Sequence, residues 1–137
     1  MAYLIDTNVV SELTRPSPSA GVIAFLDRTP DLYLSVIVFH ELEFGIENAA
    51  DPARRAKLQS FALALRQQFS DRTIPVDLDV AAAAGRLRAF EKAAGRVLTP
   101  LDALIAATAM IKDHALVTRN IRDFERLNLR LVNPWEG

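Results

Sequence analysis

Tyr3-Leu4-Ile5-Asp6-Thr7-Asn8 opens the chain with a short apolar run that stops at an acid. Three apolar residues are too few for a helix and suit a buried strand. Asp6 is a residue type that caps helices, and Asn8 to Thr14 reads as the helix that follows. A strand handed straight to a helix is the repeating unit of a parallel sheet. The rest of the chain repeats it. Arg15-Pro16-Ser17-Pro18-Ser19 breaks the first helix, and Ser19 can cap a second with Val22, Ile23 and Leu26 on one side. Leu32 to Ser35 is a second strand, followed by an apolar helix from about Val36 to Asn48. Asp51-Pro52, a cap with proline at the first position, starts a long helix to about Phe69. Thr73 to Val76 is a third strand, and Asp79 to Ala94 a helix ending at Gly95. Thr99-Pro100 starts a helix to about Lys112, Ala115 to Thr118 is a fourth strand, Ile121 to Arg126 a helical turn, and Leu129 to Val132 a fifth strand.

Short apolar strands alternating with helices predict a five-stranded parallel sheet with helices on both faces, an α/β fold of three layers, α/β/α. The 137 residues are the length of one domain, 1–137, with no internal repeat and no linker. In such sheets sites gather beyond the carboxyl ends of the strands, where strand order reverses. Polar residues stand there after the first strand (Asp6, Thr7, Asn8) and after the fourth (Thr118, Arg119, Asn120).

Composition narrows the chemistry. Half of the residues are hydrophobic and 24% are charged, which excludes a disordered chain. With no cysteine, disulfides, thiolate zinc sites and cysteine nucleophiles are excluded together. Met1 to Asp6 is not a signal peptide, and Leu101 to Ile111 is too short to span a bilayer and carries an acid, so a soluble, cytoplasmic protein is expected, with no membrane partner. A net charge of −1 argues against a general nucleic-acid coat protein but not against a nuclease, whose acids can cancel basic residues around the rim of a cleft. Arg54, Arg55, Lys57, Arg66 and Arg72 form one basic group, Arg86, Arg88, Lys92 and Arg96 a second, and Arg119, Arg122, Arg126 and Arg130 a third; for any single group a solvated helix face is the favoured explanation.

Four acids stand in apolar surroundings. Asp6 ends the first strand, Glu41 lies in Val36-Ile37-Val38-Phe39-His40-Glu41-Leu42, Asp102 heads a helix apolar nearly all round, and Asp123 follows the fourth strand beside Phe124. Each has a plainer explanation. Asp6 could only cap its helix, Asp102 could complete a capping box with Thr99, Glu41 could be solvent-facing, and Asp123 could be a turn residue. Taken together, converging carboxylates repel unless a cation lies between them. Oxygen ligands without Cys, and with only two His in the chain, favour Mg²⁺ or Mn²⁺ over zinc, and such a site suits metal-assisted phosphodiester hydrolysis.

These segments resemble a family. Leu4-Ile5-Asp6-Thr7-Asn8-Val9-Val10-Ser11-Glu12-Leu13 resembles the opening of PIN domains. Ser35 to Gly45, with Glu41 before Leu42 and a glycine four residues after the acid, resembles their second motif, and Thr99 to Ala109 their third. Leu116 to Phe124 and the ending Val132-Asn133-Pro134-Trp135 are similar to the fourth motif and tail of VapC toxins, particularly the FitB-like branch of these type II toxin–antitoxin systems. The matches run in order along essentially the whole chain. The resemblance implies a PIN-like sandwich and a Mg²⁺- or Mn²⁺-dependent endoribonuclease. It implies homodimers held in a higher-order complex by a cognate VapB-type antitoxin, whose tail fills the active-site groove. Asp6 and Asp102 would then be the main metal ligands, with Glu41 completing the acidic cluster. Thr7, Asn8 and Thr118 would orient water, ligands or phosphate. The chain departs from the pattern at Asn120, where many relatives carry an acid; Asp123 is the candidate replacement. Arg119 and Arg122 are candidates for holding the RNA backbone.

Rival readings fit less well. A haloacid-dehalogenase phosphatase would have a second Asp where Asn8 stands, a receiver domain would need a Lys near Arg119, and no Gly-rich phosphate loop is present. The alternative of a different kind is a catalytically inactive PIN-like module that acts by binding partners.

Overall fold

The computed structural model describes residues 1–136; Gly137, the last residue of the expected domain, lies outside them. The chain alternates β1 (Tyr3–Ile5), α1 (Thr7–Glu12), α2 (Ala20–Arg28), β2 (Leu32–Ser35), α3 (Val36–Asn48), α4 (Pro52–Gln68), β3 (Thr73–Ile74), α5 (Leu78–Ala93), α6 (Pro100–Lys112), β4 (Ala115–Val117), α7 (Ile121–Phe124) and β5 (Leu131–Val132). All four strand pairings are parallel, in the order β3-β2-β1-β4-β5. The expected five-stranded parallel sheet is therefore present, with strands shorter than the apolar runs suggested. Leu129 and Arg130 lie outside β5 and Val76 outside β3.

The caps form where the sequence supplies them. Asp51 accepts from the Ala53 N–H, Asp77 from Val80, Thr99 from Asp102, and the fully buried Ser35 from Ile37. These side chains satisfy donors that a helix start leaves free. Gly95, with φ of 79°, follows α5 in the left-handed conformation that glycine adopts without strain.

Alternation along the strands divides the core into two layers. Leu4 and Leu116 point to the face covered by α5, α6 and α7, among Val80, Ala84, Ile105, Ala106 and Phe124. Ile5 and Val117 point to the opposite face, among Val9, Val22, Phe25, Val38, Leu42 and Leu65. This period of two, with both faces apolar, is what a covered parallel sheet requires. In α2 the buried side chains are Val22 and Phe25, whereas Ile23 is 39% exposed and stands off the core. Val22 and Phe25 are three apart and share a helix face.

The topology places one crevice. The first three strands run outward from β1 in one direction and β4-β5 extend in the other, so strand order reverses between β1 and β4. Ile5 pairs with Val117, which brings the residues just beyond them, Asp6 and Thr118, side by side.

Candidate active site

Asp6 is the fixed point of this crevice. Its backbone N–H still bonds the Val117 carbonyl oxygen at 2.9 Å, so it leaves the sheet with almost no freedom. One carboxylate oxygen, Oδ1, accepts from the Thr7 backbone N–H at 2.8 Å, which caps α1. The other, Oδ2, accepts from the Thr118 hydroxyl at 2.8 Å and from Asn8 Nδ2 at 3.4 Å. Thr118 is fully buried, and its Oγ1 also accepts from the Asn120 backbone N–H at 3.0 Å. Asn8 completes the link by accepting the Arg119 backbone N–H at 3.3 Å. The polar residues after β1 and β4 form one network.

The helices bring the remaining acids. Glu41, on α3 and half-buried, accepts from the Thr7 hydroxyl at 2.7 Å, which ties it to the start of α1. Asp102, half-buried in the first turn of α6, uses its N–H to bond the Thr99 hydroxyl at 3.3 Å. Burial pushes the Asp6 carboxyl up to about 6, against its bonds from Thr118 and Thr7 and helped by the charges of Asp102 and Glu41. Burial likewise raises Asp102, with Asp123 and Glu41 adding to the shift against the bond to Thr99. Asp6 thus lies within charge–charge range of Asp102 and Glu41, and Asp102 within range of Glu41 and of Asp123, which is exposed on α7.

Among the described residues no Lys or Arg forms an ion pair with any of these four acids. No three acids or histidines among them stand close enough to make a closed cage as they are. The donor set, carboxylate and hydroxyl oxygens around a desolvated negative charge, fits a hard divalent cation. The histidines are elsewhere: His40 is exposed, and His114 stacks on Tyr33 with ring centres 4.7 Å apart.

An open groove of about 670 Å³ leads away from the acids, sharing Asn8 and Glu41 with them and continuing past Gly45, Arg54, Arg119 and Trp135. Sequence reasoning missed two of its residues. Glu12 is buried and accepts the Ser19 N–H at 2.8 Å while pairing with Arg15; nothing in its neighbourhood marks it out. Trp135 stood out in the sequence as the one tryptophan and as part of the tail motif, but without a role at the site.

The PIN domain family model matches residues 3–129. The chain belongs to the PIN domain family. Among its relatives, the VapC ribonuclease Y4jK of Sinorhizobium fredii is 38% identical over 97% of each chain. The crystal structure of FitAcB from Neisseria gonorrhoeae superimposes with a TM-score of 0.90 at 33% identity, covering 98% of this PIN domain and 99% of that chain. A toxin–antitoxin complex from Klebsiella pneumoniae gives a TM-score of 0.72 at 27% identity, covering 97% of this chain and 98% of that one. The sandwich and the resemblance to VapC and FitB-like proteins expected from the motifs are both borne out. No described helix of the PIN domain is long and apolar enough to cross a membrane.

Proposed function

We propose that this chain, its 137 residues acting as one PIN domain, is the toxin of a toxin–antitoxin pair and hydrolyses RNA phosphodiester bonds as a metal-dependent endoribonuclease. The observation that carries the reading is the meeting of Asp6, Glu41 and Asp102 at the β1–β4 crevice, with buried Asp6 pushed up to about 6. A buried carboxylate within charge range of two others, with no basic partner, is suited to a cation. The relative from Sinorhizobium fredii, named a ribonuclease, supports the RNA substrate, and the Klebsiella pneumoniae complex supports an antitoxin partner.

Asp6 and Asp102 would hold Mg²⁺ or Mn²⁺ with Glu41 completing the set. When bound, the ion supplies Lewis acidity toward a phosphate oxygen and lowers the pKa of water. Thr118 and Thr7 fix the two oxygens of Asp6, and Thr7 fixes Glu41, so the acids stay aimed as substrate enters. Asp123, exposed and close to Asp102, would orient the attacking water and take its proton. Asn8 and Asn120 hold Thr118 and the β4 turn in place, and Arg119 faces the substrate side. A cognate VapB-type antitoxin would cover this crevice in a complex built on homodimers.

Cleavage of a structured RNA by antitoxin-free protein tests the reading. Cutting should appear with Mg²⁺ or Mn²⁺, vanish in EDTA, and be lost in folded Asp6→Asn. A folded wild type that leaves a panel of RNAs intact would point instead to an inactive binding module.

A further inference from the structure

The groove beside the acids carries a cation–aromatic pair that hydrolysis at the acids does not itself require. The Arg119 guanidinium lies over the Trp135 ring, its carbon 4.9 Å from the ring centre. Its backbone is fixed as well, through the N–H bonded to Asn8 and through its place next to Thr118, whose hydroxyl holds Asp6. Trp135 is anchored in turn. Its backbone N–H donates to Asn133 Oδ1 at 3.0 Å, and its side chain packs on the core layer that includes Val9 and Val22. The preceding Pro134 carbonyl passes α2 so closely that a Cβ at Gly21 would meet it at 2.7 Å.

Arg54, in the first turn of α4, lines the same groove. Among the described residues neither Arg54 nor Arg119 forms an ion pair. The acids of the groove are tied into the fold: Glu12 by the Ser19 N–H and Arg15, Asp51 by the cap of α4, Glu41 by the Thr7 hydroxyl. The groove lining sets Arg15, Arg54 and Arg119 against Glu12, Glu41 and Asp51, Arg54 and Arg119 being its cations outside any ion pair among the described residues, and it is continuous with the acid cluster through Asn8 and Glu41.

We propose that single-stranded RNA leaves the acid cluster along this groove and stacks a nucleobase on the Arg119 guanidinium, with Trp135 as the residue that positions it. The inference rests on the nuclease reading of the acids. Unpaired bases stack on aromatic rings and guanidinium planes, and an exposed guanidinium held over an indole can take a base on its solvent side. Arg54 would meet a backbone phosphate further along the strand.

The test uses the whole chain and a short fluorescein-labelled single-stranded RNA, with anisotropy read in EDTA, where the RNA survives. Emission from Trp135, the only tryptophan, should be quenched as RNA binds. Arg119→Lys keeps the charge but loses the flat fork, and should weaken binding about tenfold. Trp135→Ala should do the same, and Trp135→Phe should restore most of it. With Mg²⁺ present, KM should rise by the same factor while kcat stays within about threefold. If Trp135→Ala does not fold, Arg119→Lys decides. Wild-type binding and KM in Arg119→Lys, from a protein that still cuts RNA, would overturn the stack and leave the groove to a protein partner. A wild type that neither binds nor cuts RNA would remove the stack and the nuclease reading together.

Discussion

Asp6 gives up most of its water to stand at the head of α1, and the bonds from Thr118, Thr7 and Asn8 offset only part of that loss. Its carboxyl, pushed up to about 6, holds its proton more tightly folded than unfolded. In the metal-free protein its contribution favours the fold fully below about pH 4 and is lost as the pH rises through about 6. Asn at this position still caps the helix but carries no charge. In EDTA, Asp6→Asn and wild type should be about equally stable near pH 4. The variant should be more stable, by up to about 3 kcal/mol near pH 7, in urea melts across the range. A constant difference at every pH would remove the desolvated charge from the account. Thr118 makes a second prediction. Thr118→Val deprives Asp6 of a donor and the Asn120 N–H of an acceptor inside the protein. It should lower stability by about 1–3 kcal/mol and cleavage by roughly 10- to 100-fold.

At the scale of elements, α3 carries both the site and the floor of the groove. It starts at buried Ser35, places Glu41 toward Thr7, and presents Gly45 to the groove with nothing within 4 Å of where a Cβ would stand. Alanine at 45 should stabilise the helix by about 0.5–1 kcal/mol, since glycine in a helix interior costs about that much. The added methyl projects into the path assigned to RNA, so cleavage should fall even as the melting temperature rises. Gly85, on α5 and equally uncrowded, lies away from the groove. Gly85→Ala should stabilise and leave cleavage unchanged, and loss of activity there too would argue against a groove-specific effect. The helices were legible in advance because their caps are local: Ser19, Ser35, Asp51 and Thr99 each bond an N–H two or three residues on. The face of α2 was less so. Ile23 and Val22 are equally apolar, and only the packing of Phe25 and Val22 against the rest of the core decides which turns inward.

For the whole molecule, the reversal of strand order between β1 and β4 gathers residues from both ends of the chain. Asp6 and Thr118 could be placed from sequence because strand ends in a parallel sheet are where polar residues collect. Glu41 and Asp102 could be picked out because each is an acid among apolar neighbours. The Arg119–Trp135 stack could not, since it depends on the tail passing Gly21 closely enough to lay an indole beneath the β4 turn. A net charge of −1 is compatible with RNA handling, because Arg54 and Arg119, outside any ion pair among the described residues, line the groove that leads from the crevice.

The central claim is that Asp6 and Asp102, with Glu41, hold one divalent cation, and calorimetric titration of Mn²⁺ into the metal-free chain near pH 7.5 tests it most directly. Saturable binding by the wild type, weakened at least about tenfold in Asp6→Asn and in Asp102→Asn but unchanged in Asp79→Asn, at an exposed acid in the first turn of α5, is the predicted result. Equal Mn²⁺ affinity in the wild type and both crevice variants would contradict it.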